Sequence, residues 1–182
     1  MAKQQHSFEN MLESNQVQLE LFKGTKVEAA LIKDMDYQAK NVVIIGTNQL
    51  IVSQLDRITS QANTVKVFQI EPHFVLPSTE RGIQRVINHP LISKNRRLFN
   101  QRVKSLIALR FLETQVNNIW LKRQLMPNLA QQAKVFFKSD TFYSALQKPN
   151  CELITWPIVR VFEHYIQSIN GESHHADIII HT

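Results

Sequence analysis

Asn41-Val-Val-Ile-Ile-Gly46 and Thr64-Val-Lys-Val-Phe-Gln69 are the two stretches that decide the fold of this chain. The first is a short β-branched apolar run ending in glycine, the pattern of a strand buried on both faces. The second has the same character. Between them Leu50, Ile51, Leu55 and Ile58 recur at helical spacing and predict a helix over 48–62. Strand, glycine turn, helix and strand within about 30 residues make a βαβ unit. The expected fold class is therefore α/β, a Rossmann-like, mainly parallel sheet with flanking helices.

Working outward toward the C-terminus, Lys134–Lys138 has strand character, and Asp140 is placed to cap a helix through Leu146. Lys148-Pro149-Asn150 reads as a turn. Cys151–Ile154 and Ile158–Phe162 read as strands, and Asn170-Gly171 predicts a hairpin turn after Tyr165–Ile169. Ala176–Ile180 is a last buried strand. Toward the N-terminus, residues 1–40 form a lead-in in which Phe8, Met11, Leu12, Val17, Leu19 and Leu21 suit a short helix and then a strand. Pro72 and Pro77 interrupt regular structure after the second strand. An insert over 79–130 follows, bounded internally by Pro90 and Pro127. In it Phe99, Val103, Leu106, Leu109, Leu112, Val116, Ile119 and Trp120 recur at threes and fours. One domain over 1–182 accounts for the whole pattern.

Charge is unevenly spread. From Arg81 to Lys138 there are twelve Lys or Arg and one acid, Glu113, whereas the remaining residues hold nine basic and fourteen acidic side chains. An acidic body therefore carries a basic insert. Arg96, Arg97, Arg102, Lys104, Arg110, Lys122 and Arg123 suit a solvated face, an acidic protein partner or nucleic-acid phosphates. No apolar run approaches the ~20 residues of a membrane span, and Met1–Asn10 lacks the apolar core of a secretion signal. With the single Cys151, these features predict a cytoplasmic protein with no membrane contact.

Glycine is scarce: Gly24, Gly46, Gly82 and Gly171 are the only four, and no two are close. The loop after the first strand, Gly46-Thr-Asn-Gln-Leu-Ile51, keeps the first glycine of a G-x-G-x-x-G dinucleotide loop. Asn48 and Ile51 replace the other two. Asn tolerates positive φ, so the turn is expected to form with the Asn48 side chain where a phosphate would lie. Ile51 is bulky for a position of close helix–strand packing. His174, His175 and Asp177 are read as a polar lead-in to the last strand rather than a metal set, and Cys151 as a structural thiol.

The order of segments resembles the NADP-binding middle domain of flavin-containing and Baeyer–Villiger-type monooxygenases. The stretches that carry it are Lys40–Thr47, Val67–Pro72 with Phe74–Pro77, Lys134 with Ser139–Leu146 and Pro149–Leu153, and His175–Ile180. The resemblance implies NADP or NAD, and FAD, as cofactors if the family function is kept. It points to Gly46, Thr47, Asn48, Gln49, Glu71 and Lys134 as cofactor-binding candidates. The departures are consistent. The family fingerprint F-x-G-x-x-x-H-x-x-x-W starts at Phe22 and Gly24 but then has Glu28 and Ile32. The family arginine that grips the 2′-phosphate is Ile70 here. Glu71 beside it would repel that phosphate and suits a ribose hydroxyl. The Lys-Arg pair of the Baeyer–Villiger branch reads Lys134-Val135, and no flavin-binding glycine motif is found in the chain. The expectation is a catalytically inactive relative that binds no cofactor in isolation. It would work as a homo-oligomer, with a separate flavoprotein, or through its basic insert at 81–138.

Overall fold

A computed structural model of the chain describes residues 19–78 and 101–182. The strands are β1 (Thr25–Glu28), β2 (Asn41–Ile45), β3 (Thr64–Phe68), β4 (Phe74–Leu76), β5 (Phe136–Lys138), β6 (Cys151–Ile154), β7 (Ile158–Val161), β8 (Tyr165–Ser168), β9 (Ser173–His175) and β10 (Ile178–His181). The helices are α1 (Gln49–Gln61), α2 (Gln101–Gln115), α3 (Ile119–Gln124) and α4 (Phe142–Leu146). A 3-10 turn, Ala29–Asp34, follows β1.

Five strands form a parallel sheet in the order β1-β10-β2-β3-β6. β2 is central, with Val42, Val43 and Ile44 fully buried. Strand alternation divides these side chains between two cores. Val42, Ile44, Val65, Val67, Ile178 and Ile180 join α1, α4 and the 3-10 turn on one face. Val43, Phe68, Ile154 and Ile179 meet Val161, Ile166 and Ala176 on the other. The sheet is thus covered by helices on one side and on the other by the antiparallel meander β7-β8-β9. Among the described residues the expected flanking helices occupy one face. A separate parallel pair, β4-β5, extends the helical side.

Local chemistry explains the element ends. Asn150 Nδ2 donates to Thr59 O (2.8 Å) and Ala62 O (3.0 Å), and Lys148 Nζ reaches Asp56 O, Thr59 Oγ1 and Ser60 Oγ. The Lys148-Pro149-Asn150 turn therefore satisfies the orphan carbonyls at the end of α1 and puts a cation on its negative pole. Asn41 N–H and Nδ2 both donate to Asp177 Oδ2, tying the start of β2 to the start of β10. Gly24 admits no side chain, because a Cβ there would lie 2.6 Å from Asp177 O and 2.5 Å from the Phe22 ring. The Phe22-x-Gly24 pair is thus a packing requirement of this fold.

Two expectations need correction. α4 is not capped by Asp140, whose Oδ1 instead accepts from Ser78 N (2.8 Å). Ser139 Oγ takes the Thr141 and Phe142 N–H groups. In the lead-in, the strand lies at Thr25–Glu28, beyond the apolar residues expected to form it, and Phe8, Met11, Leu12 and Val17 lie outside the described residues. So do Pro90, Arg96, Arg97 and Phe99 of the insert. The described remainder of the insert is helical, as α2 and α3.

Candidate functional site

In an open parallel sheet, ligands settle beyond the carboxyl ends of the strands, where the strand order reverses. Here that point lies between β2 and β10. From β2 the chain steps through β3 to β6, while β10 lies on the opposite side. Gly46 leaves β2 with φ +83°, and its N–H donates to Phe68 O at 3.0 Å, joining the ends of β2 and β3. A Cβ on Gly46 would lie 2.3 Å from Thr182 Oγ1, just past β10. Thr182 is held there by its N–H and Oγ1, both directed at Ile45 O.

The loop turns its hydrogen-bonding groups inward. Asn48 Oδ1 accepts from Ile51 N at 3.0 Å. That N–H is one of the orphan donors a helix N-terminus would present to a phosphate. Asn48 is extended (φ −132°, ψ −177°), so it forms no positive-φ turn; Gly46 makes the turn alone. Gln49 grips the backbone of Lys138 from both sides, with Nε2 donating to Lys138 O and Oε1 accepting from Lys138 N, each at 2.8 Å. The side chain imitates a strand partner and seals the loop to β5. Ile51, expected to be too bulky, is fully buried in the helical-side core. The space between α1 and the sheet accepts it.

The end of β3 supplies the second half of the crest. Gln69 is buried, with its N–H on Ile154 O and its Nε2 on Glu71 O (3.2 Å). Ile70 is half exposed. With Glu71, Pro72, Asn128 and Gln131 it lines a shallow cleft of about 170 Å³. His73 lies against Phe137, ring centroids 5.0 Å apart, and burial holds its imidazole below the ordinary range despite the opposing pull of Glu71. Among the described residues, three buried side-chain atoms lack a hydrogen-bond partner: Thr47 Oγ1, Gln69 Oε1 and His73 Nδ1. Thr47 and Gln69 immediately follow the carboxyl ends of β2 and β3, and His73 immediately precedes β4. Unpaired buried polar atoms are costly and uncommon.

The structure therefore brings Gly46, Thr47, Asn48 and Gln49 together in one loop and puts Glu71 on the rim of the neighbouring cleft. Lys134 precedes β5, its ammonium 5.6 Å from the Phe74 ring centroid. Gln69, His73, Thr182 and the Lys138 backbone were not legible as parts of this crest from spacing. Gln69 alone had a signal, as a polar residue closing a buried strand.

The other constellations take structural places. His174 is buried on β9, not in a lead-in; its Nε2 is 3.1 Å from Ser168 Oγ and its ring stands edge-on to Phe68. His175 is on the same strand with its side chain beside Asn41. Among the described residues no His, Cys, Asp or Glu group has a metal-holding arrangement. Burial pushes the Cys151 thiol up to about 12. In the insert, Arg110 pairs with Glu113 at 3.1 Å and Lys122 Nζ donates to Glu113 O. No described helix is long and apolar enough to cross a membrane.

No protein-family model matches the chain. It is 26% identical over 169 residues to a Baeyer–Villiger monooxygenase of Pseudomonas aeruginosa, covering 81% of this chain and 32% of that protein. It is 24% identical over 169 residues to one from Streptomyces coelicolor, covering 81% and 33%. An FAD-binding monooxygenase of Aspergillus niger is 24% identical over 174 residues, covering 81% and 28%. Among solved structures, a steroid monooxygenase bound to NADP superposes with a TM-score of 0.69 at 19% identity, over 90% of this chain and 42% of that one. A cyclohexanone monooxygenase from Rhodococcus bound to NADP+ gives 0.69 at 16% identity, over the same shares. The chain thus spans about a third of the length of the relatives it matches. In sequence and in fold it is a relative of the Baeyer–Villiger and FAD-binding monooxygenases.

Proposed function

We propose that this chain is a non-catalytic relative of a monooxygenase NADP domain, acting by interaction rather than by hydride or oxygen transfer. One observation carries the reading: the loop that would cradle a pyrophosphate is closed by its own side chains. Asn48 takes the Ile51 N–H, and Gln49 is bound on both edges to Lys138. A dinucleotide phosphate would have to displace the Asn48 side chain to reach the Ile51 N–H. Beyond the loop, Ile70 offers no charge to a 2′-phosphate and Glu71 opposes one. The residues present do not fit NADP in the ordinary Rossmann mode.

A second reading rests on the three unpartnered atoms. Thr47 Oγ1 and Gln69 Oε1 stand just past the carboxyl ends of β2 and β3, His73 Nδ1 lies on the segment that leads from β3 into β4, and the Glu71 carboxylate suits a ribose diol. In that reading the chain binds NAD and serves a separate flavoprotein.

Thermal unfolding with NADPH, NADH and FAD separates the two. A ligand at about 100 times its dissociation constant adds about 2.7 kcal/mol, or about 5–10 °C for a chain of this size. The proposal expects no shift for the native chain. It expects gained NADPH stabilisation in a variant combining Asn48→Gly, Gln49→Ala and Ile70→Arg, with the buried Ile51 left in place. A shift of the native chain with NADH overturns the closed-loop reading in favour of the second.

A further inference from the structure

Helix α3 is apolar on both of its sides. Leu121 and Leu125, four residues apart, turn inward: Leu121 is half-buried against the helical-side core and Leu125 is buried. The helical period then puts Ile119, Arg123 and Met126 on the outward side, with Trp120 next to them. A surface helix ordinarily carries polar residues there. Instead Ile119 and Trp120 are 65% and 73% exposed, and Met126 and Leu129 beyond the helix are exposed as well. Asn118 Oδ1 accepts from Trp120 N at 2.9 Å and from Leu121 N at 3.2 Å, so the first turn is capped and the face is held ready before any contact.

The positive charge of this face survives pairing. Glu113 is the one acid between residues 101 and 138, and its carboxylate is taken by Arg110 at 3.1 Å. Lys122, Arg123, Lys134 and Lys138 follow, with no acid among residues 114–139. Among the described residues neither Lys122 nor Arg123 has a carboxylate partner. Lys122 Nζ donates to the main-chain O of Glu113, and the Arg123 guanidinium lies 5.2 Å from the Trp120 ring centroid. Glu71 meets the far end of the stretch, in the cleft with Asn128 and Gln131, past Met126. Trp, Arg and Met are the residue types that concentrate at the centres of protein–protein contacts. An indole beside a guanidinium offers an apolar plate to an aliphatic side chain and a planar fork to a carboxylate. Nucleic acid is matched less well, because Trp120 is the one ring here for stacking and Ile119, Met126 and Leu129 offer nothing to a phosphate.

We propose that the outward face of α3 docks an acidic amphipathic segment of a partner protein, its apolar side chains on Ile119, Trp120 and Met126 and its carboxylates on Arg123 and Lys122. This names a partner class for the interaction role proposed above and rests on that role, but it uses no part of the Gly46–Gln49 loop. A nucleotide that shifted the unfolding of the native chain would remove the interaction role and leave the docking result untouched. Failure of docking would remove the partner class and leave the closed loop standing.

Fluorescence anisotropy of a labelled amphipathic peptide of Leu, Ala and Glu, titrated with the full chain, tests this. A peptide with Lys in place of Glu is the control. The acidic peptide is expected to bind and the basic one not. Binding is expected to weaken about tenfold between about 0.1 M and about 1 M salt, as the Debye length contracts from about 10 Å to about 3 Å. Trp120→Ala and Arg123→Glu, both at outward positions, are each expected to weaken it about tenfold or more, and Val159→Ser on the meander is expected to leave it unchanged. With Trp156→Phe, Trp120 is the one remaining indole, and its emission is expected to move to shorter wavelength on binding, a readout taken on the unaltered face. An acidic peptide that does not bind overturns the proposal. So does equal binding of the basic peptide, or binding that Trp120→Ala and Arg123→Glu leave intact. A native chain that self-associates through Trp120 overturns it in favour of a second copy. Retention of anionic vesicles or of a single-stranded oligonucleotide without the peptide overturns it in favour of a lipid surface or nucleic acid.

Discussion

Replacing Gly46 by alanine tests the geometry of the loop directly. Gly46 has φ +83°, where a side chain meets its own backbone, at about 1–2 kcal/mol. The new methyl would also lie 2.3 Å from Thr182 Oγ1. That hydroxyl can rotate away, losing its 3.4 Å bond to Ile45 O, at about 0.5 kcal/mol. The expected loss is about 1.5–2.5 kcal/mol, a fall in Tm of about 3–10 °C. Urea unfolding followed by circular dichroism measures it. Thr182→Ala provides the control, since it removes the atom in conflict and leaves the backbone strain. In that background Gly46→Ala is expected to cost about 0.5 kcal/mol less. A loss below about 0.5 kcal/mol for Gly46→Ala alone would refute the left-handed turn, and an equal loss in both backgrounds would refute the Thr182 contact.

Asn150→Ala removes two bonds to the end of α1 and is expected to cost about 1–2 kcal/mol in the same assay; a neutral result would mean that water satisfies those carbonyls equally well. The burial-depressed imidazoles of His73 and His174 make the unfolded chain bind more protons below the ordinary histidine range. Stability is therefore expected to be full at neutral pH and to fall as the pH drops below about 6.5, with the drop reduced in His174→Gln; a flat profile between neutral and mildly acidic pH would count against both. The Cys151 thiol, raised from 9.0 to about 12, is expected to react with a maleimide about a thousandfold more slowly in the folded chain than in urea. Equal rates would show the thiol to be open.

The βαβ unit was legible because its signals are local. Asn41–Ile45 and Thr64–Phe68 appear within a residue of their expected bounds, and α1 likewise, since a buried strand and an amphipathic helix write their periods into the sequence. The Asn170-Gly171 turn was equally plain, and Gly171 has the positive φ such a turn needs. The altered loop was half legible: Asn48 and Ile70 depart from the family pattern, but their identities did not show how the loop's side chains would pair.

Residue types and their spacing determined the α/β class, the strand-turn-helix-strand unit, the missing second and third glycines and the basic insert, each set by neighbours along the chain. Tertiary structure decided the rest. That Gln49 pairs with Lys138, Thr182 lies against Gly46, Ser139 rather than Asp140 caps α4 and a meander covers the second face depends on contacts between segments far apart in sequence. A side chain's hydrogen-bonding capacity can be read from its identity, whereas the partner it takes is fixed only when distant strands meet.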